Sequence, residues 1–140
     1  EVERLVSDVR RHGGGNQGIL RPIIPELKKR ETINRKGHLF VLMGRGTFSS
    51  AAQNAMELKE KLQAITVGEP TGQKPNHYGE VKELRLPHWG VDVGYSTTFW
   101  KRVDGDPEAF VPDVAAPPSF AAVQAGRDPA MEAILGWETP

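Results

Sequence analysis

The chain has 140 residues, enough for one domain with a modest core, and its 18 basic and 18 acidic residues cancel to a formal charge of zero. Those charges are mixed along the sequence, which argues against a nucleic-acid-binding stripe or an acidic tail. No apolar run is long enough to span a bilayer and no signal-peptide pattern opens the chain; the lack of cysteine excludes disulfides and thiolate chemistry and leaves the compartment open.

Glu1 leads almost at once into Leu5-Val6-Ser7-Asp8-Val9, which reads as a short buried strand. A core strand with no lead-in and no initiator Met suggests a fragment or an excised domain. "RRHGGGNQG" then breaks the strand with four glycines between Gly13 and Gly18. From Gly18 to Arg30 the apolar residues suit a helix, confined to its later part by Pro22 and Pro25. His38-Leu39-Phe40-Val41-Leu42-Met43 is the clearest strand, a continuous apolar run between Gly37 and Gly44 that fits a sheet covered on both faces.

After the turn Gly44-Arg45-Gly46-Thr47-Phe48-Ser49-Ser50, the residues Ala51, Ala55, Leu58 and Leu62 repeat at helical spacing. Ala64-Ile65-Thr66-Val67-Gly68 is another short strand. The alternation of strands and helices predicts an α/β fold with a parallel sheet and crossover helices. "GEVKELRLP" and "GVDVGYSTTFW" alternate around Pro87–Gly90 and predict a β-hairpin. Asp104 to Pro118 carries four prolines and reads as loop. Two short helices follow, over Pro118–Gly126 and over Asp128–Leu135, the second with Asp128 as N-cap and Pro129 at its first position.

A serine at a strand-to-helix turn has two physical uses. It caps the helix by accepting a backbone N–H bond, or the sharp turn exposes its hydroxyl as a nucleophile beside free N–H groups that hold an oxyanion. The glycines of "HGGGN" likewise either allow a tight turn or let a backbone N–H approach a substrate closely. The spacing is neither that of a phosphate loop nor GxGxxG. Candidate bases are His12, His38, His77, His88 and the lysines. Lys74 and His77 share the Gly- and Pro-rich loop "GEPTGQKPNHYGE", and a lysine serves as base only where burial or another cation favours its neutral form. The scattered histidines give no metal-ligand spacing.

"VSDVRRHGGGN", "HLFVLMGRGTFSSAAQNA", "AITVGEPTGQK", the alternating strands after it and "FVPDV" occur together and in order, covering nearly the whole chain. In this the sequence resembles the carboxyl-terminal processing (tail-specific) serine protease family. The resemblance implies a partial crotonase-like spiral of ββα units and a single domain over residues 1–140. That domain would be the C-terminal portion of a catalytic core, with the peptide-binding PDZ module and the N-terminal part preceding Glu1.

It further implies a Ser–Lys dyad of Ser49 and Lys74, 25 residues apart across one helix and one strand. The backbone N–H groups of Gly14 and Ser50 would be the oxyanion donors, and Asp8, Arg10 and Asp113 would be structural motif residues. An acidic residue expected three positions after the nucleophile is replaced by Ala52, and Thr-Phe-Gly-Lys by Thr71-Gly72-Gln73-Lys74, so His77 stands as the alternative base.

The implied activity is cleavage of unfolded proteins or C-terminal tails through an acyl-enzyme, with no cofactor or metal, no nucleic acid and no membrane span. Exposed apolar surface on such a fragment leaves room for pairing or swapping with another copy. The resemblance makes a bacterial periplasmic or extracellular site the default, and predicts that the chain by itself is inactive. Two rival readings are a catalytically silent relative acting as a binding or structural module, and a crotonase-like enzyme acting on acyl thioesters.

Overall fold

A computed structural model describes residues 2–138. Its central sheet has four parallel strands in the order β1 (Leu5–Asp8), β2 (Leu39–Met43), β3 (Ile65–Gly68) and β6 (Val114–Ala115). The crossover from β1 to β2 carries a short 3-10 turn, Gln17–Leu20, and α1 (Ile23–Lys28). The crossover from β2 to β3 is α2 (Ser50–Lys61). Between β3 and β6 the chain leaves the sheet as an antiparallel hairpin, β4 (His77–Leu86) and β5 (Val91–Trp100), and it ends with α3 (Phe120–Gln124) and α4 (Pro129–Leu135). The α/β class, the parallel sheet, the crossover helices and the hairpin are as the sequence predicts.

β2 is buried at every residue because helices cover both faces of the sheet. Leu39, Val41 and Met43 pack with Val9, Ile24, Ala51, Ala55 and Leu58, toward α1 and α2. Phe40 and Leu42 point the other way and pack with Ile65, Val67, Ala130 and Ile134, toward α4. This alternation divides one continuous apolar run between two cores. α4 is held at both ends. Asp128 caps Met131 N–H at its start, and the Arg4 guanidinium reaches the carbonyls of Ile134 and Leu135 and, at 2.7 Å, of Trp137 at its end. A cation there complements the helix dipole.

The loop expected over Asp104–Pro118 contains β6, two residues that pair with Val67 and Gly68. A tertiary clasp forms this strand. The Asp113 carboxylate accepts from both the N–H (3.0 Å) and the hydroxyl (2.8 Å) of fully buried Thr66, whose oxygen accepts in return from Asp113 N–H at 2.9 Å. Partial burial by itself would raise the Asp113 carboxyl; the bonds from Lys59 and Thr66 outweigh it and hold the group below its ordinary value of 3.8.

Asp113→Ala strands two buried donors of Thr66 and is expected to cost about 2–3 kcal/mol in urea unfolding with an unchanged m-value. Because the folded carboxyl is depressed, its share of stability is complete above 3.8 and is lost as pH falls through the lower folded value. The variant should therefore show a shallower loss of stability with acid than the wild type.

Candidate active site at the strand ends

Ligands of open parallel sheets bind beyond the carboxyl ends of the strands. Here the ends of β1 and β2 bring two turns together. Thr47 is fully buried, and its hydroxyl oxygen accepts from Gly44 N–H at 3.0 Å and donates to Val9 carbonyl at 2.9 Å. Phe48 N–H donates to His12 carbonyl at 3.1 Å. The serine turn is thereby laid on the glycine turn.

Ser49 sits at the contact with φ 52° and ψ −125°, a conformation that side-chain-bearing residues rarely adopt and that costs roughly 1–3 kcal/mol. It is the N-cap of α2 by position, yet its hydroxyl makes no cap hydrogen bond among the described residues. The capping role open to it in the sequence is not the one it takes. Two neighbours hold the strained backbone. Ser49 N–H donates to the Gln73 side-chain carbonyl at 2.7 Å, and Gly14, at φ +111°, lies so close that a Cβ there would stand 2.6 Å from the Ser49 Cβ.

Ser49 opens into a cavity of about 410 Å³ shared with Phe48, Ser50, Gln53, Gln73 and His77 and walled by β4 and Trp100. His77 Nδ1 lies 3.0 Å from Pro75 carbonyl, which can only accept, so this nitrogen carries the proton. The Gln73 amide nitrogen 3.3 Å away is then a neighbour rather than a donor to it. His77 Nε2 then accepts from the Gln53 amide nitrogen at 3.2 Å. Gln53 is oriented from behind by Arg102, whose Nη2 donates to Gln53 Oε1 at 2.5 Å and to Gln17 Oε1 at 2.9 Å. Arg102 is placed by buried Asn76, whose Oδ1 accepts from the N–H groups of Arg102 and Val103. Its guanidinium also lies over the Trp100 ring, 5.1 Å from the centroid.

Lys74 is turned elsewhere. Its amine lies 2.9 Å from Asp106 and 2.9 Å from Glu108, and it does not line the Ser49 cavity. The hydrogen bonds it donates to Asp106 and then to Glu108 raise its affinity for the proton, opposite to what a general base needs. The Ser49–Lys74 pairing expected from the resemblance is therefore not formed. The side chain from that loop that reaches Ser49 is the preceding one, Gln73.

The two expected oxyanion donors also differ. Gly14 N–H already donates to His12 Nδ1 at 3.0 Å. Ser50 opens α2, and its N–H has no partner among the described residues, as first-turn donors commonly lack one. Its hydroxyl is buried and also without a partner among them.

Asp8 and Arg10 lie outside the Ser49 cavity and line a separate cleft with Asp128. Asp8 accepts from Arg10 N–H and guanidinium, and the other arm of Arg10 grips both oxygens of Asp128 at 2.9 and 2.7 Å. The bonds from Arg10 lower the Asp8 carboxyl, partial burial opposing. Asp113 lies in the clasp of β6, away from this cavity.

Gln73, Gln53 and Arg102 were not singled out in the sequence. A signal existed for one: Gln53 lies four residues after Ser49, the spacing that puts two side chains on one helical face.

A crystal structure of a Parabacteroides merdae protein, provisionally described as a peptidase, is similar to this chain with a TM-score of 0.68 and 23% sequence identity. The match covers 96% of this chain and 51% of that one, so the chain spans about half its neighbour's length. At that identity the likeness is one of fold. No family model and no curated protein sequence matches.

Gly14→Ala is expected to cost at least about 2 kcal/mol, since it meets both a positive φ and the Ser49 side chain. Gly13→Ala enters open space and is the control. Ser49→Gly should stabilise the chain by about 1 kcal/mol, relief of strain exceeding the extra entropy of unfolded glycine. Urea midpoints of the three variants check both.

Proposed function

We propose that this chain is a serine-type peptidase domain, the C-terminal portion of a longer catalytic core, in which Ser49 is the nucleophile. The observation that carries this is the strained Ser49 backbone at a strand-to-helix turn, its hydroxyl released from capping and directed to a cavity. The fold shared with a neighbour provisionally described as a peptidase supports it, as does the tail-specific protease resemblance around Ser49.

Ser49 Oγ would attack the peptide carbonyl carbon while its proton passes to His77 Nε2. The alkoxide would be held by Ser50 N–H, and by Gly14 N–H once His12 releases it. The proton on Nε2 would then go to the leaving amine as the C–N bond breaks, and water would hydrolyse the acyl-enzyme by the same route in reverse. In this reading His77 takes the role the resemblance gives to Lys74, and Gln53 yields its bond to Nε2 when Ser49 engages. The substrate class is an unfolded protein or peptide tail.

A second reading, a silent relative serving as a binding or structural module, is favoured by two observations: Gly14 N–H is occupied by His12, and Lys74 is taken up by two carboxylates.

A fluorophosphonate probe separates these readings without requiring a substrate grip, since only an activated serine displaces its fluoride. Mass spectrometry is expected to find one adduct, on Ser49, absent from Ser49→Ala. His77→Gln should slow labelling about 100-fold or more, and Lys74→Ala by no more than about twofold. The reverse order of the two variants would restore the lysine as base, and no labelling at all would establish the silent module.

A further inference from the structure

The hairpin has two faces with opposite fates. His77, Gly79, Val81, Ser96 and Trp100 lie on the face toward the Ser49 cavity, whose wall Tyr78 and Glu80 also help to form, with Trp100 laid across Gly79. The other face carries three apolar cross-strand pairs, Tyr78–Phe99, Leu84–Val93 and Leu86–Val91. The Tyr78 and Phe99 rings meet with centroids 5.0 Å apart, tilted by 53°. These six side chains are 37–68% exposed, and Tyr95 between them is 48% exposed. No helix or second sheet covers this face among the described residues.

A two-stranded ribbon does not hold its shape in water on one partial contact, because half of its side chains gain nothing from folding. A row of this size amounts to roughly 600 Å² of apolar surface, near the upper end of what monomers expose and close to the roughly 800 Å² that each partner contributes to a stable interface.

We propose that this face is the seat of a second copy of the chain, packed hairpin on hairpin across a two-fold axis. The row is apolar at both ends, with Lys82, Thr97 and Glu80, the last at φ 54°, interrupting its middle. Its two charged positions, Glu80 and Lys82, are opposite in sign and cancel, so the row offers mainly apolar contact. It is self-complementary: turned end to end on itself, the aromatic pair of one copy covers the aliphatic pairs of the other, as in aligned sheet packing. The Lys82 stems lie along the axis and carry their charges to the rim. Since the same ribbon walls the Ser49 cavity, the partner copy keeps that wall in place. The inference rests on the exposed row and stands whether or not Ser49 is reactive.

Sedimentation of the whole chain over a range of concentrations is expected to show a dimer. Leu84→Glu should be monomeric with an unchanged circular dichroism spectrum, while Glu83→Lys on the opposite face should remain dimeric. The chain has no cysteine of its own. Lys82→Cys should therefore cross-link into dimers under air oxidation, and Arg85→Cys on the other face should not. A wild-type monomer without the cross-link would overturn the proposal and assign the row to another protein segment. A dimer that survives Leu84→Glu and does not cross-link through residue 82 would overturn it as well.

Discussion

Everything at the candidate site depends on one close approach, the docking of the serine turn after β2 onto the glycine turn after β1. Thr47 makes the contact by bonding back to Gly44 and across to Val9, and Phe48 N–H reaches His12 carbonyl. Side chains are excluded from the seam: a Cβ on Gly46 would stand 2.6 Å from Arg10 carbonyl, and one on Gly14 would strike Ser49. Backbones this close leave Ser49 no room to relax into an ordinary cap, so the strain of its backbone is imposed by its neighbours. The Arg10 fork braces the outside of the same seam by joining Asp8 at the end of β1 to the N-cap of α4.

What could be read from the sequence is what short-range pattern controls. Leu39–Met43 announces a strand covered on both faces because no polar residue interrupts it, and Asp128-Pro129 announces a helix start because both residues favour that position by themselves. β6 was hidden, since Val114 and Ala115 form a strand only because Asp113 is clasped by Thr66 from 47 positions away. The serine turn is legible as a turn and whether Ser49 caps the helix is not, because the deciding quantity is a backbone angle set by the docking seam.

The same distinction explains Gln73 and Lys74. Adjacent side chains in a loop point in different directions, and sequence spacing cannot say which one turns inward. Here the inward place goes to the residue that can accept a bond from Ser49 N–H, which an amide carbonyl does and an ammonium cannot. With Gln73 inside, Lys74 is carried outward, where Asp106 and Glu108 await it. A resemblance drawn over "PTGQK" aligns chain positions, whereas chemistry follows the side chain that hydrogen bonding selects.

The hairpin shows the limit of periodicity from another side. Alternation along β4 and β5 identifies two faces and says nothing about what covers either. One face was claimed by the site, through His77 and Trp100. The other keeps its apolar pairs in water within this chain. A wall of a cavity must be rigid to shape it, and a ribbon wet on its apolar side is not rigid. The geometry around Ser49 therefore makes a demand on the far side of the hairpin: whatever occupies the outer face also steadies the ring of Trp100, the perch of Arg102 and, through Gln53, the orientation of His77.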